Sequence, residues 1–181
     1  MISQYCKVLT LVMVNKPFVT VEEYFHRSFD GPEPEYVDGE VIERHLGSVP
    51  HFKAQKRLLR FFDPLEESWS LFAYTEVTLP LSPRRYRVAD IAVFIGDVPS
   101  GKKYPTDPPE IVIEIVSEDD RYVEILEKLA DYHSWGAKHI WLVDPWTRKF
   151  FAYDASGLHE VPAFELPAYN AKIPIAEFFA D

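Results

Sequence analysis

The stretch Ile111-Val112-Ile113-Glu114-Ile115-Val116 constrains this chain more than any other. β-Branched residues run through it without a break except at one carboxylate, Glu114. Such side chains are stiff in a helix and pack well on a pleated surface, so the stretch reads as a strand. Alternation turns Ile111, Ile113 and Ile115 to one face and Val112, Glu114 and Val116 to the other. Apolar residues on both faces make it a central strand, covered on two sides. A carboxylate there is costly unless a cation or strong donors stand beside it. Two readings stay open: Glu114 belongs to a functional site, or it is a sheet-end glutamate paired with an Arg or Lys.

The neighbouring elements follow from local signals. Thr20-Val21-Glu22-Glu23 is a capping box that opens a short helix to about Phe29, before the Asp30-Gly31-Pro32 breaker. Asp38-Gly39 joins two short strands within Glu35 to Glu43 as a hairpin. Ser48-Val49-Pro50-His51 opens a second helix, to about Phe62. Trp69 to Leu81 and Val88 to Ile95 read as strands, the second carrying Asp90. Arg121 to Trp135 is an amphipathic helix with Tyr122, Ile125, Leu126, Leu129 and His133 as its apolar stripe and Glu124, Glu127 and Asp131 opposite; Gly136 is its C-cap. Lys138 to Val143 and Lys149 to Tyr153 form a hairpin, and the tail holds short strands and a final turn around Ile175 to Phe179.

Length and composition suit one domain with a proper core: 181 residues, 47% hydrophobic and 15% aromatic. The expected division is an N-terminal extension over residues 1–19 and a single domain over 20–181, with Met13 as a candidate alternative start to Met1. The apolar run Val8 to Val14 is short and lacks a small-x-small cleavage site, and no run reaches the roughly 18 to 20 apolar residues needed to cross a bilayer. One cysteine, Cys6, excludes an intramolecular disulfide and a Cys-based zinc site, which fits a cytoplasmic protein. A net charge of −10 repels nucleic acid, so any such role needs local basic patches or divalent cations. Lys53, Lys56, Arg57 and Arg60 share a helix face and are either an ordinary solvated face or a phosphate-contacting stripe.

Asp90 and Glu114 lie on strands adjacent in sequence. If those strands pair, both carboxylates converge on one hard divalent cation, with the Ile115 carbonyl as a third oxygen. Lys128, two turns into the following helix, either points back over the strand end or pairs with Glu124 on the surface.

The motifs then fall in a distinctive order: Glu35-Tyr36-x-Asp38-Gly39-Glu40, Ser48-x-Pro50-His51, Arg87-Val88-Ala89-Asp90-Ile91-Ala92-Val93, Pro108-Pro109-x-x-Val112-x-Glu114-x-x-Ser117, Lys128-x-x-x-Tyr132-x-x-x-Gly136 and Ile140-Trp141-Leu142-Val143-Asp144-Pro145. From about Thr20 onward the chain resembles the bacterial restriction endonuclease domains abundant in cyanobacteria, within the PD-(D/E)XK nuclease-like superfamily. The resemblance implies an α/β fold, a restriction-endonuclease-like core with a central mixed β-sheet flanked by helices. It implies Mg²⁺- or Mn²⁺-dependent hydrolysis of DNA, with Asp90, Glu114 and Ile115 on the metal and Lys128 completing the catalytic set. Ala89 stands where the superfamily has proline, Val116 where it has lysine, and Ser117-Glu118-Asp119 where this branch has Ser-Pro-Ser. Glu40, matching a further family position, either extends the acidic cluster or holds a metal-bound water. His51, matching another family position, is either an auxiliary site residue or structural, since a helix start disfavours a charged imidazole. Tyr132 either orients Lys128 or packs in the core. Arg84, Arg85, Arg87 and the Lys53–Arg60 face are the candidate phosphate contacts. The competing expectation is a catalytically weak binding or assembly module, for instance a homodimer; Trp146, Phe151 and Tyr153 on the late hairpin belong either to a dimer interface or simply to the core.

Overall fold

The computed structural model describes residues 18–44, 47–98, 101 and 103–180. Of the expected extension only Phe18 and Val19 fall within these, and Val19 already belongs to the core: it is buried, and its carbonyl accepts from the Tyr36 hydroxyl at 2.9 Å. Thr20 and Glu23 exchange the two hydrogen bonds of the capping box at the start of α1 (Val21–His26). This helix ends a turn before Phe29, which folds back so that its ring lies 5.7 Å from that of Tyr24.

Strands β1 (Glu35–Val37) and β2 (Glu40–Ile42) pair around Asp38-Gly39, both of which have positive φ, as a tight hairpin turn requires. Helix α2 (Val49–Trp69) starts at the Ser48 cap but runs past the expected end near Phe62, straight through Pro64. Proline deprives only the Arg60 carbonyl of its helical partner, and Arg60 and Pro64 are both exposed, so water can satisfy that carbonyl. Trp69 is therefore the last helical residue rather than the start of a strand. Ser70, left-handed at φ 54°, closes the helix.

The long pair β3 (Leu71–Ser82) and β4 (Arg85–Ile95) leads to β5 (Ile111–Ile115), then α3 (Tyr122–Trp135), β6 (His139–Asp144), β7 (Lys149–Asp154) and β8 (Gly157–Val161). A mixed sheet results in the order β2-β1-β4-β5-β6-β7-β8, with β3 also on β4. Only β5 and β6 are parallel, joined by the α3 crossover. A second small sheet, β9 (Ala163–Leu166) with β10 (Ala171–Pro174), and α4 (Ile175–Phe178) complete the described chain.

The alternation read in β5 sets the layers. Ile111, Ile113 and Ile115 pack with Ala54, Leu58 and Phe62 of α2 and with the stacked rings of Phe150 and Phe164. Val112 faces the opposite layer with Leu129 and Tyr132 of α3. That helix buries Leu129 and Tyr132, whereas Tyr122 and His133, expected in its apolar stripe, are exposed. Phe151 and Tyr153 pack against this second layer, which leaves Trp146 as the exposed ring of the three.

One irregularity positions the site. β3 lines one edge of β4 from Ser82 to Leu71; on the other edge β1 pairs at Arg85 and Tyr86, and β5 pairs at Ile91 to Val93. Residues 87–90 of β4 thus lie in a fork between β1 and β5. Opposite Asp90, the β3 ladder passes from Thr75↔Ile91 to Val77↔Ala89 and skips Glu76, whose φ is 54°. A non-glycine residue with this backbone in mid-strand is held there by its surroundings.

Candidate active site

The fork leaves backbone groups of β4 that no strand can satisfy, and side chains fill the gap. Glu35 accepts from the Val88 amide at 3.0 Å, and the Lys128 ammonium donates to the Val88 carbonyl at 2.8 Å. These two side chains also meet each other at 2.9 Å. The same Lys128 nitrogen donates to Glu114 at 2.8 Å, and the other Glu114 oxygen accepts from the Tyr132 hydroxyl at 2.8 Å. Lys128 and Tyr132 are one helical turn apart, so a single face of α3 grips both oxygens of one carboxylate. Glu124 pairs instead with Arg121, so the surface alternative for Lys128 is not the one adopted.

Asp90 sits beside this group. One of its oxygens accepts from the Ile115 amide at 2.7 Å and lies 3.2 Å from His51 Nε2; the other takes Arg44 at 3.3 Å. Arg44 is anchored on Glu76 at 2.6 Å, and Gln55 donates to the Asp90 carbonyl at 3.2 Å. The strained Glu76 thus holds the arginine that faces Asp90. His51 is not merely a helix-start residue. Burial opposes its charge, but the hydrogen bond and the charge of Asp90 raise its pKa overall. Its Nδ1 is buried with no partner among the described residues, and a Cβ at Gly47 would stand 2.9 Å from it.

The three buried carboxylates differ sharply. Burial opposes ionisation of Glu35, but Lys128 and Arg87 hold its pKa below the ordinary value. Burial likewise opposes ionisation of Asp90, but His51, Lys128 and the Ile115 amide lower its pKa. Glu114 is pushed up to about 8, chiefly by burial and then by the charges of Asp90 and Glu35, against the pull of Lys128. Lys128 keeps its proton, because Glu114, Glu35 and Asp90 outweigh burial. A carboxyl that must hold a proton beside an ionised aspartate marks a place where positive charge is in deficit.

A divalent cation matches that deficit. Among the described residues no three Asp, Glu, His or Cys side chains converge as a closed cage. The oxygens that could hold one are those of Asp90 and Glu114, with the Ile115 backbone turned toward β4, as its amide contact with Asp90 requires. Two carboxylates with water in the remaining positions is an ordinary Mg²⁺ arrangement. These groups line one cavity of about 460 Å³ between α2, α3 and the β1–β2 hairpin.

Other expected site residues lie elsewhere. Glu40 is exposed near the hairpin tip and does not line the cavity; Glu35, paired with Ile42 farther in, takes the position expected of it. Arg87 is buried, bonded to Glu35 at 2.8 Å and to Asp131 at 2.8 Å, so its guanidinium is committed to carboxylates rather than offered to a phosphate. Arg85 pairs with Asp131 and Asp38, while exposed Arg84 bonds the Asp38 carbonyl at 3.1 Å. Arg57 donates to the Phe178 and Ala180 carbonyls, which takes it off the cationic face. Lys53, Lys56 and Arg60 remain exposed. Asp131, expected on a solvated face, is drawn inward by the two arginines.

The Uma2 family profile, described as "Putative restriction endonuclease", matches residues 21–170. The chain belongs to the Uma2 family. A solved structure, a "putative nuclease belonging to DUF820" from Anabaena variabilis, matches with a TM-score of 0.77 at 19% identity; the match covers 89% of this chain and 97% of that one. At that identity the likeness shows a shared fold. No curated protein matches the chain. A nuclease-like fold and family are thus established for this Uma2 member, as its motif order implied, and such families generally use divalent metals. No helix among the described residues is long and apolar enough to cross a membrane.

Strand patterning singled out Asp90, Glu114 and Ile115, the motif resemblance selected Lys128 and Tyr132, and the structure brings all five together. Residue spacing could not find Glu35, Arg44 or Glu76. Glu35 gave one signal: it opens a short strand beside the apolar Tyr36-Val37.

Proposed function

We propose that this Uma2 protein is a divalent-cation-dependent nuclease that hydrolyses DNA phosphodiester bonds. One observation carries the reading: Asp90 and Glu114 meet from adjacent strands at the buried end of a cavity, with Lys128 bonded to Glu114 at 2.8 Å. Asp90 and Glu114, with the Ile115 carbonyl, would hold the cation. When bound, such a cation neutralises charge on the scissile phosphate and makes water more acidic.

The chain's own residues do the rest. Lys128 lines the cavity with its three donors on Glu114, Glu35 and the Val88 carbonyl, so its charge acts on an incoming phosphate, and it reaches a water or phosphate oxygen directly by releasing one of these partners. Tyr132 stays protonated, its pKa raised well above normal by burial and by Glu114, and fixes the orientation of that carboxylate. Arg44, anchored on Glu76, presents a second cation to phosphate charge. One feature favours the alternative of a weakly active binding module: the cavity wall carries Glu43, Asp119, Asp120, Glu124 and Glu127, which repel phosphate.

Supercoiled plasmid incubated with Mg²⁺ or Mn²⁺ separates the two. The nuclease reading expects metal-dependent nicking that is lost in Asp90→Ala, Glu114→Ala and Lys128→Ala. Nicking that survives in all three overturns the site, and its absence from the wild type favours the module.

A further inference from the structure

The walls of the cavity are not alike. Its α3 side and the loop before it carry Asp119, Asp120, Glu124 and Glu127 against Arg121 and the buried Lys128, whereas the α2 side contributes His51, Phe52 and Gln55 and no carboxylate. Helix α2 buries His51, Ala54, Leu58 and Phe62. At 100° per residue, Phe52, Lys53, Lys56 and Arg60 fall on the reverse, outward face. Phe52 is 54% exposed and lines the cavity mouth, so it belongs to both surfaces. Among the described residues no carboxylate pairs with Lys53, Lys56 or Arg60, on a chain with a net charge of −10. The cationic run covers about 10 Å of helix and ends at Asp63 and Glu67, which return to the same face.

From this asymmetry we infer that the substrate enters as a single nucleic-acid strand laid along α2, one base stacked on Phe52 and the adjoining phosphates on Lys53, Lys56 and Arg60. The inference deepens the nuclease reading and rests on it for the chemistry. An exposed ring followed by cations at helical spacing is the combination that binds single strands without sequence readout. A duplex is disfavoured on charge. Its width places the second phosphate strand toward the α3 wall, where four carboxylates stand and the α2 cations do not reach. A single strand keeps its flanking phosphates on the basic face and brings only the scissile phosphate into the acidic-walled cavity.

Binding is measured without cleavage, in Ca²⁺, by fluorescence anisotropy with a labelled DNA strand of about 20 nucleotides and with the same strand annealed to its complement. The single strand should bind at least tenfold more tightly. Phe52→Ala should weaken it roughly tenfold or more, as expected for loss of one stacked base, and Phe52→Trp should restore it. Replacing Lys53, Lys56 and Arg60 by Ala should flatten the salt dependence by about two in log–log slope. All these side chains are exposed, so the variants keep the core intact. Equal or tighter duplex binding overturns the inference, as does single-strand binding indifferent to these variants. If plasmid nicking in Mg²⁺ still requires Asp90 and Glu114, the nuclease reading survives that failure. If stripe-dependent strand binding appears without any cleavage, the surface stands and the nuclease reading falls.

Discussion

Replacing Lys128 by Met removes the one ammonium shared by two buried carboxylates and keeps most of the aliphatic stem. Three contacts disappear: Glu114 at 2.8 Å, Glu35 at 2.9 Å and the Val88 carbonyl at 2.8 Å. Breaking a buried ion pair from one side costs about 3–5 kcal/mol. The structure argues for the lower end. Glu35 keeps Arg87 and the Val88 amide, and Glu114 can discharge by holding its proton, with a pKa already near 8. The cost must therefore depend on pH. It should reach about 3 kcal/mol near pH 8.5, where Glu114 of the wild type is ionised against Lys128, and shrink near pH 6, where it is protonated in both proteins. Urea unfolding in EDTA at both pH values gives the two numbers. Repeating it in a Glu114→Gln background isolates the pair, and a coupling of about 1–3 kcal/mol is expected at the higher pH. An identical cost with and without Glu114 would refute the reasoning, because Lys128 would then stabilise the fold through other contacts alone.

Other outcomes follow from the same geometry. Glu114 has a folded-state pKa of about 8 against an ordinary 4.5, so the metal-free fold holds a proton that the unfolded chain releases. That contribution is complete below the unfolded value and is lost as pH rises toward 8; Mg²⁺, which displaces the proton, should raise the melting temperature more at pH 8.5 than at pH 6.5, as calorimetry would show. Arg87→Met leaves Glu35 with Lys128 and Asp131 with Arg85 as their remaining cations, and should cost about 3 kcal/mol in chemical denaturation, while leaving the salt dependence of DNA binding unchanged, since this arginine is buried. Ser70→Gly relieves a left-handed helix cap and should stabilise by about 1 kcal/mol in the same assay.

What could be read from the sequence was what alternation and local caps dictate. The two faces of β5, the Asp38-Gly39 turn and the capping box at Thr20 each depend on residues a few positions apart, and all three appear as expected. Asp90 and Glu114 were legible because a carboxylate inside an apolar strand is conspicuous. Arg87 misled for the opposite reason: in a run of basic residues it looks solvated, and only the pairing of β1 with β4 brings Glu35 to it across 52 positions. Asp131 was misread in the same way, as an exposed helix acid that two distant arginines pull inward. Glu76 carries no local signal for its left-handed backbone. In the fold its side chain meets Arg44 and Gln55, contacts from residues 32 and 21 positions away. The end of α2, expected near Phe62, lies further on, because Pro64 interrupts the ladder only on the exposed side and the helix continues through it to Trp69.

The central claim is that Asp90 and Glu114 form a divalent-cation site whose charge is managed by Lys128 and Tyr132. The most direct test is anomalous diffraction from crystals of the wild-type protein soaked in Mn²⁺. The account predicts a peak within about 2.2 Å of one oxygen from each of the two carboxylates, close to the metal–oxygen distance of a Mg²⁺ site, and its loss in Glu114→Gln. A saturating soak that places Mn²⁺ only elsewhere, with Lys128 still seated on Glu114, would contradict it.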